Sequence, residues 1–251
     1  MTTLYRFDEA QRIGGSHAVA VAHTVDAADP AAGGAVREVI ERASEPQQIQ
    51  TILAARGIRF EQWHADVALP DGATNDAILS AYAAELARLR AEAGYPSADV
   101  VRLVPDDASP AWPALAAAAR AKFLAEHRHA EDEVRFFVEG SGVFYLRFDD
   151  EILAIRCERG DLLGVPAGTR HWFDMGSRPH FCAIRIFGNT DGWVAEFTGD
   201  EIATRYPVAD ALAALPALPA LHGLPAVPAL PALPALPVLH GLPALPAHHR
   251  K

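Results

Sequence analysis

Two histidines and a glutamate near the middle of the chain are the residues most able to do chemistry. They lie in the run Glu126-His-Arg-His-Ala-Glu-Asp-Glu133, where His127 and His129 are two residues apart and Glu133 follows four residues later. Because alternate residues of a strand share a face, both imidazoles can point the same way, and a bend would bring the carboxylate to the same point. Imidazole and carboxylate together suit Fe, Ni, Zn or Mn. This run alone leaves two interpretations open, a metal site and a solvated acidic turn.

A third histidine lies in a second segment, Gly160-Asp-Leu-Leu-Gly-Val-Pro-Ala-Gly-Thr-Arg-His171, just after a Pro-x-Gly turn. The two segments have the patterns His-x-His-x₃-Glu-x₆-Gly and Gly-x₅-Pro-x-Gly-x₂-His. These are the two motifs of the cupin superfamily, which this region resembles strongly. Ala121 stands where the first motif often starts with Gly, and Met175 stands where the second often ends in Asn. Neither departure replaces a ligand.

In cupins the matching residues bind one metal inside a small β-barrel. The resemblance therefore implies His127, His129, Glu133 and His171 as the metal ligands. It also implies that two coordination positions stay open for substrate or oxygen. The second motif thus favours the metal site over the solvated turn.

The residues around both motifs resemble those of the acireductone dioxygenase family. The resemblance runs from roughly Pro46 to Pro207 and leaves out about Gln11 to Gly34, which looks like an insertion. The matching stretches include Glu126 to Gly140, His171 to Ser177, Ala183 to Phe187, Gly192-Trp193 and Phe197 to Asp200. The family implies an enzyme of methionine salvage that cleaves acireductone, an enediol beside a ketone with a methylthioethyl tail, with O₂.

The same resemblance implies Fe²⁺ or Ni²⁺ as the cofactor, one ion per chain, with the metal deciding the products. Fe²⁺ would give 4-methylthio-2-oxobutanoate and formate, and Ni²⁺ would give 3-methylthiopropanoate, formate and CO. Two alternatives remain open. One is another metal-dependent cupin dioxygenase or isomerase, and the other is a cupin that binds metal without catalysis.

Three charged residues near the motifs are candidates for catalysis. Arg135 lies two residues after Glu133 on an alternating strand and can point inward, while Arg185 places a charge in an apolar strand that would be costly to bury unpaired. We expect both to pair with the anionic enediolate, the alternative being a structural salt bridge with Asp132 or Asp174. Asp132 itself is a candidate for accepting a substrate proton or for orienting a histidine.

Four aromatic residues are candidates for a wall that binds the methylthio tail and excludes water. These residues are Phe123, Phe136, Phe173 and Trp193, and a place in the barrel core is the alternative for each. The family context favours Phe173 and Trp193 for the wall.

The elements that must position these residues are helices first and strands afterwards. Hydrophobic periodicity predicts a helix that Ser44 caps and Gly57 ends, a long helix over Asn75 to Ala93, and another over Pro113 to Phe123. Short apolar strands follow, including Val134 to Phe148, which we expect to be broken at Gly140-Ser-Gly142. This order predicts an α+β fold, a single-domain cupin β-barrel with N-terminal helices.

The chain divides into three parts by composition and resemblance. Residues 1–45 hold an N-terminal strand and the insertion-like segment, and residues 46–208 the cupin domain, with a barrel core at about 123–198. In residues 209–251 a Leu-Pro-Ala unit repeats, and nine of the chain's 19 prolines lie there. Proline at every third position forbids a helix, so this tail is expected to be disordered, with a partner-docking stalk as the alternative.

Charge and composition exclude several classes of function. The net charge of −10 offers no basic patch for nucleic acid or anionic lipid. Two cysteines are too few for a disulfide scaffold, the N-terminus lacks a signal-peptide pattern, and no apolar run approaches the roughly 18 residues of a membrane span. We therefore expect a cytoplasmic monomer whose partners are acireductone and O₂.

Overall fold

The computed structural model describes residues 1–9, 37–65, 67, 69–70, 72–189 and 194–215. The strands in these ranges are β1 Thr3–Asp8, β2 Glu41–Ala43, β3 Arg59–Gln62, β4 Ser97–Leu103, β5 His127–Arg128, β6 Glu133–Arg147, β7 Glu151–Glu158, β8 Asp161–Val165, β9 Arg170–Asp174, β10 Phe181–Phe187 and β11 Glu196–Phe197. The helices are α1 Pro46–Ala54, α2 Asn75–Ala81, α3 Ala83–Ala93, α4 Trp112–Leu124 and α5 Ala209–Ala214, with a 3₁₀ helix at Glu201–Arg205.

All of these strands belong to one antiparallel sheet in which β6 is the central member. One path runs β11-β5-β9-β6-β7-β1-β2, while β8 and β10 pair with the other end of β6, β3 extends β8 and β4 extends β10. The described residues fall within one compact unit. The prediction of a strand-rich α+β domain with N-terminal helices is confirmed at this level.

Strand β6 is continuous, although a break was expected at its glycines. Its first half pairs with β8 and β10, and its second half pairs with β7 and β9. The change of partners occurs at Gly140, whose φ of +68° suits glycine and where a Cβ would overlap the carbonyl oxygen of His180. The strand therefore passes from one set of partners to the other at these glycines, and they do not end it.

Two helix predictions need correction. Helix α1 begins at Pro46 after Glu45 with no side-chain cap, so the cap predicted at Ser44 was wrong; proline suits this first position, because it has no N–H there that needs a partner and its φ is already helical. The long helix predicted over Asn75 to Ala93 is two helices, separated at Tyr82, whose φ is −111°. There the buried Tyr82 ring packs edge-on against Phe136, with ring centroids 4.7 Å apart.

Both ends of the described chain belong to the domain. Strand β1 pairs along its whole length with β7, so the sheet extends beyond the expected core at 123–198. Helix α5 buries Leu212, whose carbonyl oxygen accepts a hydrogen bond from the Tyr5 hydroxyl at 3.2 Å. The boundary predicted at residue 209 is therefore too early. The insertion-like segment and the repeat beyond Leu215 lie outside the described residues.

The sheet separates two apolar clusters that matter for the site. The first, on one face of β6, includes Phe137, Phe144 and Phe173, and the second contains Phe136 with the buried residues of α2 and α3. Cys157 and Cys182 are buried free thiols within these clusters. Among the helices of the described ranges, none is long and apolar enough to cross a membrane.

Candidate metal centre

Three strands bring the predicted ligands together. His127 lies on β5, His129 follows it, Glu133 begins β6, and His171 lies on β9, directly opposite His127 in the strand register. All four side chains are buried, and one ligand atom from each lies within 4.8 Å of the others. The two sequence motifs therefore meet at one point and form a metal-binding cluster.

The carboxylate of Glu133 is the centre of this cluster. Its Oε2 lies 2.8 Å from Nε2 of His171 and 3.2 Å from Nε2 of His129. The ring centroid of His127 is 4.5 Å from that of His171 and 5.1 Å from that of His129. Three imidazoles and one carboxylate that converge in a buried space fit a first-row transition metal.

Backbone carbonyls orient the three imidazoles. Nδ1 of His127 lies 2.8 Å from the carbonyl oxygen of Ala125. Nδ1 of His129 lies 2.9 Å from the carbonyl oxygen of Val194, and Nδ1 of His171 lies 2.8 Å from that of Thr169. A carbonyl can only accept, so it favours a proton on Nδ1 and leaves the lone pair of Nε2 for a metal. The local chain therefore selects the tautomer that ligation requires.

The protonation states of two of the ligands, His127 and Glu133, also suit metal binding. Burial and the neighbouring His171 lower the pKa of His127 from 6.5 to about 4, so this imidazole is neutral at pH 7. Burial opposes the charge of Glu133, but Arg135 and the contacts with His129 and His171 outweigh it and hold the pKa of Glu133 well below its usual value. Metal ligands must be deprotonated, and these two are.

Arg135 lies beside the ligands, as the strand alternation predicted. Its Nε is 2.7 Å from Oε1 of Glu133 and its side chain is 7% exposed. The guanidinium carbon lies 4.8 Å from the ring centroid of Phe173, 5.2 Å from that of Phe144 and 5.9 Å from that of Phe123. Phe123 and Phe173 are thus at the site, and Phe144 is an aromatic neighbour that the sequence analysis missed.

Comparison with known proteins decides the family. A sequence model described as the ARD/ARD' family matches residues 34–195. The chain belongs to the acireductone dioxygenase family. Acireductone dioxygenase of Parasynechococcus marenigrum is 56% identical over 167 residues, which are 66% of this chain and 87% of that protein. Acireductone dioxygenase 1 of Nocardia farcinica is 52% identical over 175 residues, 70% of this chain and 92% of that protein.

A solved structure shares this fold. It is the acireductone dioxygenase from Bacillus anthracis with cadmium ion in its active centre, 31% identical in sequence, with a TM-score of 0.55. The similarity covers 62% of this chain and 92% of that one. Since acireductone dioxygenases are cupins, the predicted fold family is confirmed for the described domain.

Two other candidate catalytic residues of this acireductone dioxygenase family member, Arg185 and Asp132, contact residues other than the metal ligands. Arg185 pairs with Asp99 on β4 through Nε to Oδ1 at 2.8 Å and Nη2 to Oδ2 at 2.5 Å, a partner the sequence analysis did not name. Asp132 accepts hydrogen bonds from the Ala167 N–H at 3.0 Å and the Tyr95 hydroxyl at 3.2 Å. Because carbonyls hold Nδ1 of the ligands, the expectation that Asp132 orients a histidine was wrong.

Two predicted aromatic residues have different outcomes. Phe136 lies on the face of β6 opposite Glu133 and Arg135, stacked on Trp63 with ring centroids 4.6 Å apart. Strand alternation turns neighbouring residues to opposite faces, so the expectation that Phe136 lines the substrate wall was wrong. Trp193 lies outside the described residues.

A charged anchor next to His127 was not predicted either. Glu126 is buried, and its carboxylate accepts hydrogen bonds from Nη1 of Arg147 at 3.0 Å and from the Thr198 hydroxyl at 2.6 Å. Arg147 also bonds Asp200 at 2.9 Å. These contacts hold β5, and with it the first ligand, against β6 and the segment after β11. Motif spacing does not identify Glu126, because its burial beside a ligand is visible only in the structure.

Proposed function

We propose that the protein is an acireductone dioxygenase that uses Fe²⁺ or Ni²⁺ and O₂ to cleave acireductone in methionine salvage. The observation that carries the proposal is the convergence of His127, His129, Glu133 and His171 within 4.8 Å in a chain that belongs to this family. The relatives named acireductone dioxygenase match along 87% and 92% of their own length. The proposed reaction therefore concerns the whole catalytic domain.

The charge of the site suits an anionic enediol. Glu133 contributes one negative charge, so a divalent ion held by this set keeps a net positive charge. Arg135 adds a buried guanidinium beside it. A bound Fe²⁺ or Ni²⁺ would supply a template and a Lewis acid for the two adjacent oxygens of the substrate.

The other candidate residues have proposed roles in substrate binding and proton transfer. Arg135 pairs with the enediolate, and Phe123 and Phe173, which flank its guanidinium, bind the methylthio tail and exclude water. For Trp193 we propose the same role in binding the methylthio tail. Asp132 lies directly before β6 and binds the N–H of Ala167 in the turn between β8 and β9; it accepts a substrate proton. Arg185 contributes positive charge from β10, which pairs with β6.

Product analysis tests the proposal. Protein loaded with Fe²⁺ should convert acireductone and O₂ to formate and 4-methylthio-2-oxobutanoate, and protein loaded with Ni²⁺ should give 3-methylthiopropanoate, formate and CO. His127→Ala should lose both conversions, since one of four ligands is removed. Different products would instead identify another cupin dioxygenase or isomerase, and bound metal without turnover would identify a binding protein.

We also propose that the protein is a cytoplasmic monomer. The support is compositional: two reduced, buried cysteines and a net charge of −10. Size-exclusion chromatography with light scattering should give a mass near 26.9 kDa, and a multiple of that mass would contradict the monomer.

A further inference from the structure

We propose that Gly142 is a positioning residue of the metal centre. The space beside its Cα admits the Phe173 ring, this ring holds the guanidinium of Arg135, and Arg135 occupies Oε1 of Glu133. Glu133 would then offer a metal only its other oxygen, Oε2. The inference rests on the proposed ligand set and not on the reaction.

The two oxygens of Glu133 have separate partners. Oε2 faces the imidazoles, 2.8 Å from Nε2 of His171 and 3.2 Å from Nε2 of His129. Oε1 faces Nε of Arg135 at 2.7 Å. A carboxylate can bind a cation through one oxygen or two, and a guanidinium held against one of them leaves the other as the ligand. The position of Arg135 therefore sets how many oxygens Glu133 can donate.

Aromatic rings hold Arg135 in that position. Three of them lie within the roughly 6 Å over which a cation is attracted to a ring. The ring of Phe173 is nearest, at 4.8 Å, followed by Phe144 at 5.2 Å and Phe123 at 5.9 Å. A buried guanidinium gains much from such contacts, because little water remains to solvate it. Phe173 is thus the nearest of the three rings that restrain Arg135.

Gly142 determines where that ring can lie. A Cβ at Gly142 would overlap Cζ of Phe173 and would lie 2.5 Å from its Cε2. The backbone of Gly142 does not have the positive φ that favours glycine, so space alone calls for glycine here. On its other sides the ring packs against Phe144, with centroids 4.8 Å apart, and Phe181, at 5.7 Å. A methyl group at residue 142 would therefore force the ring to shift against these two neighbours.

The affinity of the apoprotein for Ni²⁺, measured by competition with a chromophoric chelator, tests this chain of contacts from Gly142 to Glu133, here called the relay. Gly142→Ala should weaken Ni²⁺ binding about tenfold or more, the effect typical of losing a group that orients a ligand. In a Phe173→Leu background the ring is gone, so adding Gly142→Ala should change the affinity by less than about threefold. Phe144→Leu keeps Gly142 and removes one ring from Arg135, so it should also weaken Ni²⁺ binding. It is the variant to measure if Gly142→Ala does not fold.

Gly164→Ala is the matched control. It also adds a methyl group to a strand, where Cβ would meet Cβ of Arg59 at 3.1 Å, and it should keep the wild-type affinity. The relay is overturned if folded Gly142→Ala binds Ni²⁺ as wild type does, or if it loses the same factor with and without Phe173. Failure of wild type to bind Ni²⁺ would instead contradict the proposed ligand set.

Discussion

Adjacent residues of β6 face different surroundings, which makes their roles separable. Arg135 lies on the face of the metal ligands, while Phe136 points into the cluster between the sheet and helices α2 and α3. Phe173, on the neighbouring strand β9, shares the ligand face and contacts the Arg135 guanidinium. One aromatic residue therefore contributes to the site and the other to stability.

Phenylalanine substitutions should separate the two roles. Phe173→Ala should raise KM for acireductone at saturating Fe²⁺, because the wall beside Arg135 is lost. Phe136→Ala should lower the free energy of unfolding by about 3 to 5 kcal/mol, the usual result of emptying a buried phenylalanine site, and leave KM near wild type. Steady-state kinetics and urea denaturation measure the two effects. A larger KM effect for Phe136→Ala than for Phe173→Ala would reverse the assignment.

The ligands were predictable and part of their surroundings was not. His127, His129 and Glu133 are close in the chain, so two motifs and strand alternation were enough to place them with His171. The same alternation could have excluded Phe136. Phe144 and Glu126 required the structure. The pairing of β6 with β9 places Phe144 opposite Phe173, and a distant arginine, Arg147, explains the buried acid.

At the scale of elements, Asp174 fastens β9 to two helices. Its carboxylate, 1% exposed, binds Arg120 of α4 through Nε at 2.7 Å and Nη2 at 3.0 Å, and it accepts the N–H of Ala209 at the start of α5 at 2.8 Å. Burial opposes its charge, but Arg120 and the N–H groups of Ala209 and Gly176 outweigh burial and lower the pKa of Asp174. This strand also carries His171.

Asp174→Asn should destabilise the protein in a pH-dependent way. At pH 7 we expect a loss of about 3 kcal/mol in unfolding free energy, since a buried pair loses one partner. The pKa is lower in the folded protein than in the unfolded chain, so the stabilisation is present above about pH 4 and fades as pH falls. Urea denaturation at pH 7 and pH 3.5 should show the difference between variant and wild type shrinking in acid.

The exposed pair Asp107–Arg178 is the control for Asp174→Asn. Its two side chains are 74% and 63% exposed, so Asp107→Asn should leave the unfolding free energy close to wild type at both pH values. A difference for Asp174→Asn that stays constant with pH would show that altered hydrogen bonding of the side chain, and not its charge, explains the effect.

Helix starts give a second prediction at this scale. The hydroxyl of Thr74 accepts the N–H of Ala77 at 3.2 Å and caps α2, whereas α1 begins at Pro46 without a side-chain cap. Thr74→Ala should therefore cost about 1 kcal/mol in unfolding free energy, and Ser44→Ala less than about 0.5 kcal/mol. Chemical denaturation of both variants measures this, and equal losses would restore the cap predicted at Ser44.

Local pattern predicted most elements but not their ends. Periodicity placed α4 within one residue of Pro113 to Phe123, because an alanine-rich run between proline and a charged segment has few alternatives. It missed the interruption at Tyr82, where packing of the ring against Phe136 on a distant strand accompanies the local break in the helix. Tertiary contacts of this kind are not visible in a periodic pattern.

For the whole molecule, the boundary of the folded domain at its C-terminal side is testable. A chain ending at Leu215 retains α5 and should keep Fe²⁺-dependent O₂ uptake and thermal stability. A chain ending at Val208 loses buried Leu212 and the N–H of Ala209 that binds Asp174, and should be less stable by about 2 to 5 kcal/mol. Equal stability of the two chains would contradict the corrected boundary.

Fold class and family followed from sequence because the cupin motifs imply the topology that surrounds them. The full extent of the sheet did not follow, since β1 joins β7 across about 150 residues and such pairing leaves no local signal. The domain therefore draws strands from outside the segment that carries its chemistry.

Oxygen uptake during acireductone turnover tests the central claim most directly. Protein loaded with one Fe²⁺ per chain should consume one O₂ and release one formate per acireductone, and His171→Ala should do neither at the same protein concentration. Metal-loaded wild type that consumes no O₂ with acireductone, or His171→Ala that retains wild-type uptake, would contradict the assignment of this site and its reaction.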